Sequence, residues 1–153
     1  LITKTRATFQ AERAQDCFQE AMPLLQAHWQ EIAHFKDIPL DPHFEAYKAF
    51  EDLGLIRCYT SRIGKELVGY AVYFVRKNMH YQNSVQALQD ILFILPEHRG
   101  FGARFILWCD QQLKAEGVQA VYHHVKAEHN FGPMLERLGY ELVDLIYAKR
   151  MDI

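Results

Sequence analysis

The stretch ILFILPEHRGFGARFILWCDQQLKAE, residues 91–116, decides how this chain folds. Its first five residues are apolar, the pattern of a buried strand. Pro96 ends that run because proline cannot donate to a sheet ladder. Over 103–116 apolar residues recur at spacings of three and four, which predicts a helix, and Gly117 supplies its stop. Gly100, Gly102, Arg99 and Arg104 lie at the handover from strand to helix. The first amides of a helix have no partner inside it and carry partial positive charge, so they suit a phosphate. Glycines admit a ligand close to the backbone, and arginines add charge-assisted hydrogen bonds. The bland alternative is a tight turn whose geometry the two glycines satisfy. The segment is not a P-loop, since no Gly-Lys-Ser/Thr follows. Nor is it a dinucleotide fingerprint, which needs a third glycine and a ribose-binding acid.

Upstream, residues 55–63 and 66–77 are rich in branched and aromatic side chains and are split by Gly64-Lys65, a hairpin signal. Residues 85–95 form the next strand. Before the hairpin, a helical pattern starts at Ala11 and runs through Cys17, Phe18, Ala21, Leu25, His28, Trp29 and Ile32, with Pro23 predicting a kink or two consecutive helices. Asp41-Pro42 reads as an N-cap and first helical position of a short helix ending near Asp52. Residues 5–9 suit a short strand. Downstream, 118–127 reads as a strand, 130–138 as a short helix stopped by Gly139, and YELVDLIYAKRM (140–151) as one long strand or two short ones. The strand–helix–strand unit around PEHRGFG requires a right-handed crossover and parallel neighbours. The chain therefore reads as one α+β domain over 1–153, a mixed sheet with helices on both faces.

The 153 residues suffice for one core, and half of them are hydrophobic. A net charge of −2 gives no global field to attract nucleic acid or acidic lipid. No apolar run is long enough for a membrane helix. Three scattered cysteines, Cys17, Cys58 and Cys109, suit reduced thiols and a cytoplasmic setting. His123 and His124 are adjacent on a predicted strand and so point to opposite faces, which argues against a shared metal ion.

Two motifs together resemble the GNAT superfamily of acyl-CoA-dependent N-acetyltransferases. Glu97-His98-Arg99-Gly100-Phe101-Gly102 is similar to its Gln/Arg-x-x-Gly-x-Gly/Ala signature, with glutamate in the first position. EHNFGPMLERLGY (128–140) is similar to its N-x-x-A-x-x-L-Y-E-K-L-G-F segment, with Asn130, Leu138, Gly139 and Tyr140 in register. The likeness covers roughly 50–153. It implies a mostly antiparallel sheet of about six to seven strands whose central pair splays apart. It implies acetyl-CoA as acyl donor and a primary amine as acceptor, and leaves a homodimer open. An inactive CoA-binding or interaction module of the same fold is the alternative.

The same resemblance assigns roles. Pantetheine amides would pair with the backbone of Phe93, Ile94 and Leu95. The diphosphate would rest on the amides of Arg99, Gly100, Phe101, Gly102, Ala103 and Arg104. A strand amide near Phe93 or Ile94 would stabilise the oxyanion. Asn130 would bond cofactor or substrate, or simply cap its helix. Asp90 is the nearest carboxylate to take the amine proton. Strict alternation gives Asp90 the face of Leu88 and Leu92, unless a bulge intervenes. Leu135 stands where the family often has its acidic tyrosine, so Tyr122, Tyr147 or His124 would protonate the thiolate, or it leaves unaided.

Overall fold

The structure, a computed structural model, describes residues 6–153. Five strands form one sheet in sequence order: β1 (Ala7–Glu12), β2 (Ile56–Ile63), β3 (Glu66–Lys77), β4 (Val85–Ile94) and β5 (Ala120–Tyr122). The first four pair antiparallel, and β4 and β5 pair parallel. The β2–β3 hairpin turns at Gly64, whose φ of +60° is the left-handed conformation that glycine takes without strain.

Helices cover both faces. α3 (Gly102–Ala115) lays Phe105, Cys109 and Leu113 on Tyr59, Val68, Ala71, Tyr73 and Ala87. α1 (Ala14–Ile32) and α2 (Phe44–Asp52) cover the other face, where Ala14 meets Ile56, Cys58 and Val72, and Leu24 meets Leu67, Tyr70 and Phe93. Phe18 stacks on Phe44 at 4.4 Å between centroids, joining α1 to α2. Arg13, the N-cap of α1, offers no side-chain cap. Glu51 of α2 does so instead, accepting from the amides of Ala14 (2.6 Å) and Gln15 (3.2 Å). α4 (Gly132–Arg137) follows β5 and buries Leu135.

Several sequence expectations change here. The sheet has five strands among the described residues, not six to seven. Residues 140–151 join no strand, and β5 covers three residues of the expected 118–127. The first strand extends to Glu12, so Ala11 lies in it, and residue 5 falls outside the described residues. α1 runs unbroken through Pro23. Pro23 and Gln19 both lie on the exposed side, where water can serve the carbonyl that proline leaves without a donor. His43, not Asp41, caps α2, its Nδ1 accepting from the Ala46 amide at 3.0 Å. Among the described residues no helix is long and apolar enough to cross a membrane.

Candidate active site

β5 pairs with only three residues of β4: Gln86 with Ala120, Ala87 with Val121, and Leu88 with Tyr122. β4 continues to Ile94 without a neighbour on that side. This is the expected splay, and it leaves a strand edge free in the interior of the fold. The amide of Leu95 donates to the Val68 carbonyl at 2.9 Å. Because antiparallel residues alternate in bonding direction, Phe93 also turns its backbone to β3, whereas Leu92 and Ile94 turn theirs to the open edge. Of the three backbone positions singled out from the sequence, Ile94 is thus the accessible one. Its carbonyl accepts from Arg99 Nε at 3.0 Å, which leaves its N–H facing the opening.

A 3-10 turn, Pro96–Phe101, carries the chain from β4 into α3. The helix mouth has no side-chain cap. A Cβ built on Gly100 would meet nothing within 4 Å, and one on Gly102 would meet only Ile94 Cδ1 at 3.7 Å. Neither glycine has a positive φ, so neither is there for left-handed backbone. Gly100 leaves open space over exposed backbone, whereas Gly102 is packed beneath it. The loop is not sealed by neighbouring side chains around Gly100. Arg104 is exposed beside it. The Arg99 guanidinium is engaged elsewhere: it binds Glu31 of α1 at 2.5 Å and lies 5.6 Å over the Phe93 ring. Its bond to Arg99 holds the Glu31 carboxyl below its ordinary range. Arg99 therefore buttresses the turn against α1, and within the turn its carbonyl accepts from the Gly102 amide.

The other side of the opening is a cleft of about 1950 Å³. Phe18, His28 and Trp29 of α1, Phe44 and Tyr47 of α2, and Leu88 and Ile91 of β4 contribute to its walls. Asp90 lies just behind them. Val72 pairs with Ile91 and Tyr73 with Gln89, so Asp90 is an extra residue in β4, a β-bulge. The bulge changes the facing expected from alternation. Leu92 packs into the α3 core, whereas Ile91 packs toward α1 and α2, the side to which Asp90 also points. There Asp90 accepts a hydrogen bond from the Tyr47 hydroxyl. Burial and that bond push the Tyr47 phenol well above its usual range, so it stays protonated and donates.

Tyr122 is half-buried on β5 and lines the cleft, as does the exposed His124. His123 packs against Tyr73 and Tyr140, and its Nδ1–H donates to Gln89 Oε1 at 2.7 Å. Tyr147 is 89% exposed on the C-terminal segment. Asn130 Oδ1 accepts from the Gly132 amide at 2.8 Å, but the N-cap of α4 is Phe131, one residue later than expected, and it offers no side-chain bond. Tyr47, Glu31 and His28 were not found from the sequence. Tyr47 stands 43 residues from Asp90, and only the aromatic pair Phe44/Tyr47 on one helix face hinted at a site wall.

His28 is buried beneath the cleft, sharing a 2.9 Å hydrogen bond with the Tyr70 hydroxyl and stacked on Phe93 at 4.9 Å. Burial pushes its pKa down to about 4. The unfolded chain, near 6.5, takes up this proton first. Stability is therefore full above pH 6.5 and falls as pH drops toward 4, by on the order of 1 kcal/mol per pH unit from this group. Buried His123, also pushed down to about 4, acts in the same window, so urea midpoints measured from pH 7 to pH 4 should show both contributions and His28→Gln should remove about half of the slope.

No protein-family model matches the chain, and a search of curated proteins finds no match. Solved structures do match. A ribosomal-protein-alanine N-acetyltransferase from Brucella melitensis superposes with a TM-score of 0.71 at 14% identity, covering 95% of this chain and 99% of that one. An aminoglycoside acetyltransferase from an uncultured soil metagenomic sample gives 0.68 at 14% identity over 98% and 100%. An acetyltransferase of Clostridium acetobutylicum, solved with acetyl-CoA, gives 0.66 at 10% identity over 95% and 97%. Over nearly its whole length, then, this chain has the fold of the GNAT acetyltransferases.

Proposed function

We propose that residues 1–153 form one N-acetyltransferase domain that moves acetyl from acetyl-CoA to a primary amine by direct attack. The observation that carries this reading is the free β4 edge, Gln89–Ile94, opening between an uncapped helix mouth and a cleft backed by a carboxylate. The amides over 99–104 hold the diphosphate. The Ile94 N–H faces the thioester carbonyl and stabilises its developing negative charge. The amine enters from the cleft, and holding it beside the thioester supplies much of the rate. Its proton passes to the Tyr47 oxygen as the Tyr47 proton passes to Asp90, so that no net charge is left on the phenol. Leu135 has no proton to give, and Tyr122, half-buried on β5 in the cleft wall, protonates the departing thiolate. Three buried free thiols fit a reducing cytoplasm.

Leu135 also favours a second reading, a CoA-binding module without turnover. Calorimetry with acetyl-CoA, followed by thiol release over a panel of amines, separates the two. Micromolar binding with release supports the transferase, binding without release supports the module, and no binding removes both.

A further inference from the structure

The cleft wall around the Tyr47–Asp90 pair is aromatic, and its hydroxyls are already engaged. The Phe18 ring of α1 stacks on Phe44 of α2 at 4.4 Å and meets Tyr47 edge-on at 6.3 Å. All three rings line the cleft and are half-buried, so each keeps part of its surface open. Leu25 and Ile91 extend this apolar surface. The Tyr47 hydroxyl donates to Asp90, the Tyr70 hydroxyl pairs with His28, and the Thr60 hydroxyl donates to Glu12. His43 Nδ1 caps α2. A ligand rich in hydroxyls would give up hydrogen bonds to water against this wall and find few replacements, at a cost for each. An apolar ring gives up none and gains burial.

The charges of the cleft are of one prevailing sign. Asp41, Glu136, Glu141 and Asp144 line it together with Lys126, and all of them are exposed. Carboxylates in excess favour entry of a cation and oppose a phosphate or carboxylate. Because they stay hydrated, salt screens them, and they form no enclosed seat for a second ammonium. Asp90, half-buried behind Tyr47, is set deeper. We propose that the acceptor is an arylalkyl monoamine, a single primary ammonium on an aromatic body without anionic or hydroxyl-rich groups, and that Phe18, Phe44 and Tyr47 select it. This inference rests on the transferase reading and narrows its acceptor. The ring of the amine packs on Phe18 and Phe44, which sets its nitrogen beside the Tyr47 hydroxyl. The nitrogen–carbon bond forms and the carbon–sulfur bond breaks. Ammonium and thioester thus give the N-acetyl amide, the free thiol of coenzyme A and one proton released to solvent.

Thiol release with phenethylamine, ethylamine, free phenylalanine and the aminoglycoside sisomicin tests the class. kcat/KM for phenethylamine should exceed that for ethylamine by about a hundredfold, the gain from burying one ring. Free phenylalanine adds only a carboxylate to the same body and should fall at least about tenfold below phenethylamine. Phe44→Ala should shrink the phenethylamine-to-ethylamine ratio about tenfold, through KM, with acetyl-CoA affinity and far-ultraviolet dichroism unchanged. Phe44→Leu should recover part of it. Without acetyl-CoA, phenethylamine should move the ring-proton shifts of Phe18, Phe44 and Tyr47, and ethylamine should not. Sisomicin as the better acceptor, or equal kcat/KM for phenethylamine and ethylamine, would overturn the aromatic class and leave acetyl transfer standing. Ring shifts without thiol release from any amine would support the aromatic site and overturn the transferase reading. Neither shifts nor release would overturn both.

Discussion

Asp90→Asn is expected to lower kcat by about a hundredfold while leaving acetyl-CoA affinity unchanged. General base catalysis contributes roughly 10²–10⁴-fold, and asparagine cannot take a proton at neutral pH. The substitution is otherwise mild. Asparagine matches the aspartate in size, and its carbonyl still accepts the Tyr47 hydroxyl, so the tie between β4 and α2 survives. The donor side of the site, at 94–104, has no contact with this pair, which is why binding should hold. Tyr47→Phe breaks the relay from the other end. It keeps the carboxylate but removes the hydroxyl that lines the cleft, and should cost about tenfold. Thiol release at saturating acetyl-CoA measures both. Wild-type turnover in Asp90→Asn would assign the amine proton to another group.

Gly100→Asp should weaken acetyl-CoA binding by about a hundredfold, or ~2.7 kcal/mol. The new Cβ meets nothing within 4 Å and the backbone φ is ordinary, so the fold has no reason to change. A carboxylate near the mouth of α3 even complements the helix dipole and should hold or slightly raise the melting temperature. The same carboxylate would meet the diphosphate with like charge, over amides that no longer lie open. Loss of binding with retained stability therefore separates a blocked cradle from a damaged fold. Gly102 is a poorer probe, because its Cβ points into the protein toward Ile94. Calorimetry at 25 °C gives the ratio directly, and an unchanged affinity would count against the cradle.

Local signals carried much of this architecture. The 55–77 hairpin, the 85–95 strand and the helix stopped by Gly117 depend on period and turn chemistry, and they lie within a residue or two of where the sequence put them. The parallel neighbour of β4 followed from the handedness of the crossover. What escaped depends on contacts between distant segments. The bulge at Asp90 is a mismatch of register between β3 and β4, visible only once both strands are paired. Arg99 looked like a phosphate ligand because nothing in PEHRGFG reveals Glu31, which lies 68 residues earlier. Tyr47 meets Asp90 only because α2 folds over β4. The 140–151 segment has a strand's composition, but within the chain it lies across the cleft from the free edge of β5 and pairs with no strand. Composition reports what a segment can bury, not which edge it reaches.

The central claim is that the amides at the mouth of α3 grip the diphosphate of coenzyme A. Amide chemical shifts recorded while coenzyme A, and then pantetheine without the nucleotide, are titrated in test it most directly. Coenzyme A should move the amides of Arg99, Gly100, Phe101, Gly102, Ala103 and Arg104, and pantetheine should leave them still while shifting Ile94. Saturable binding of coenzyme A with those six amides unmoved would contradict the account.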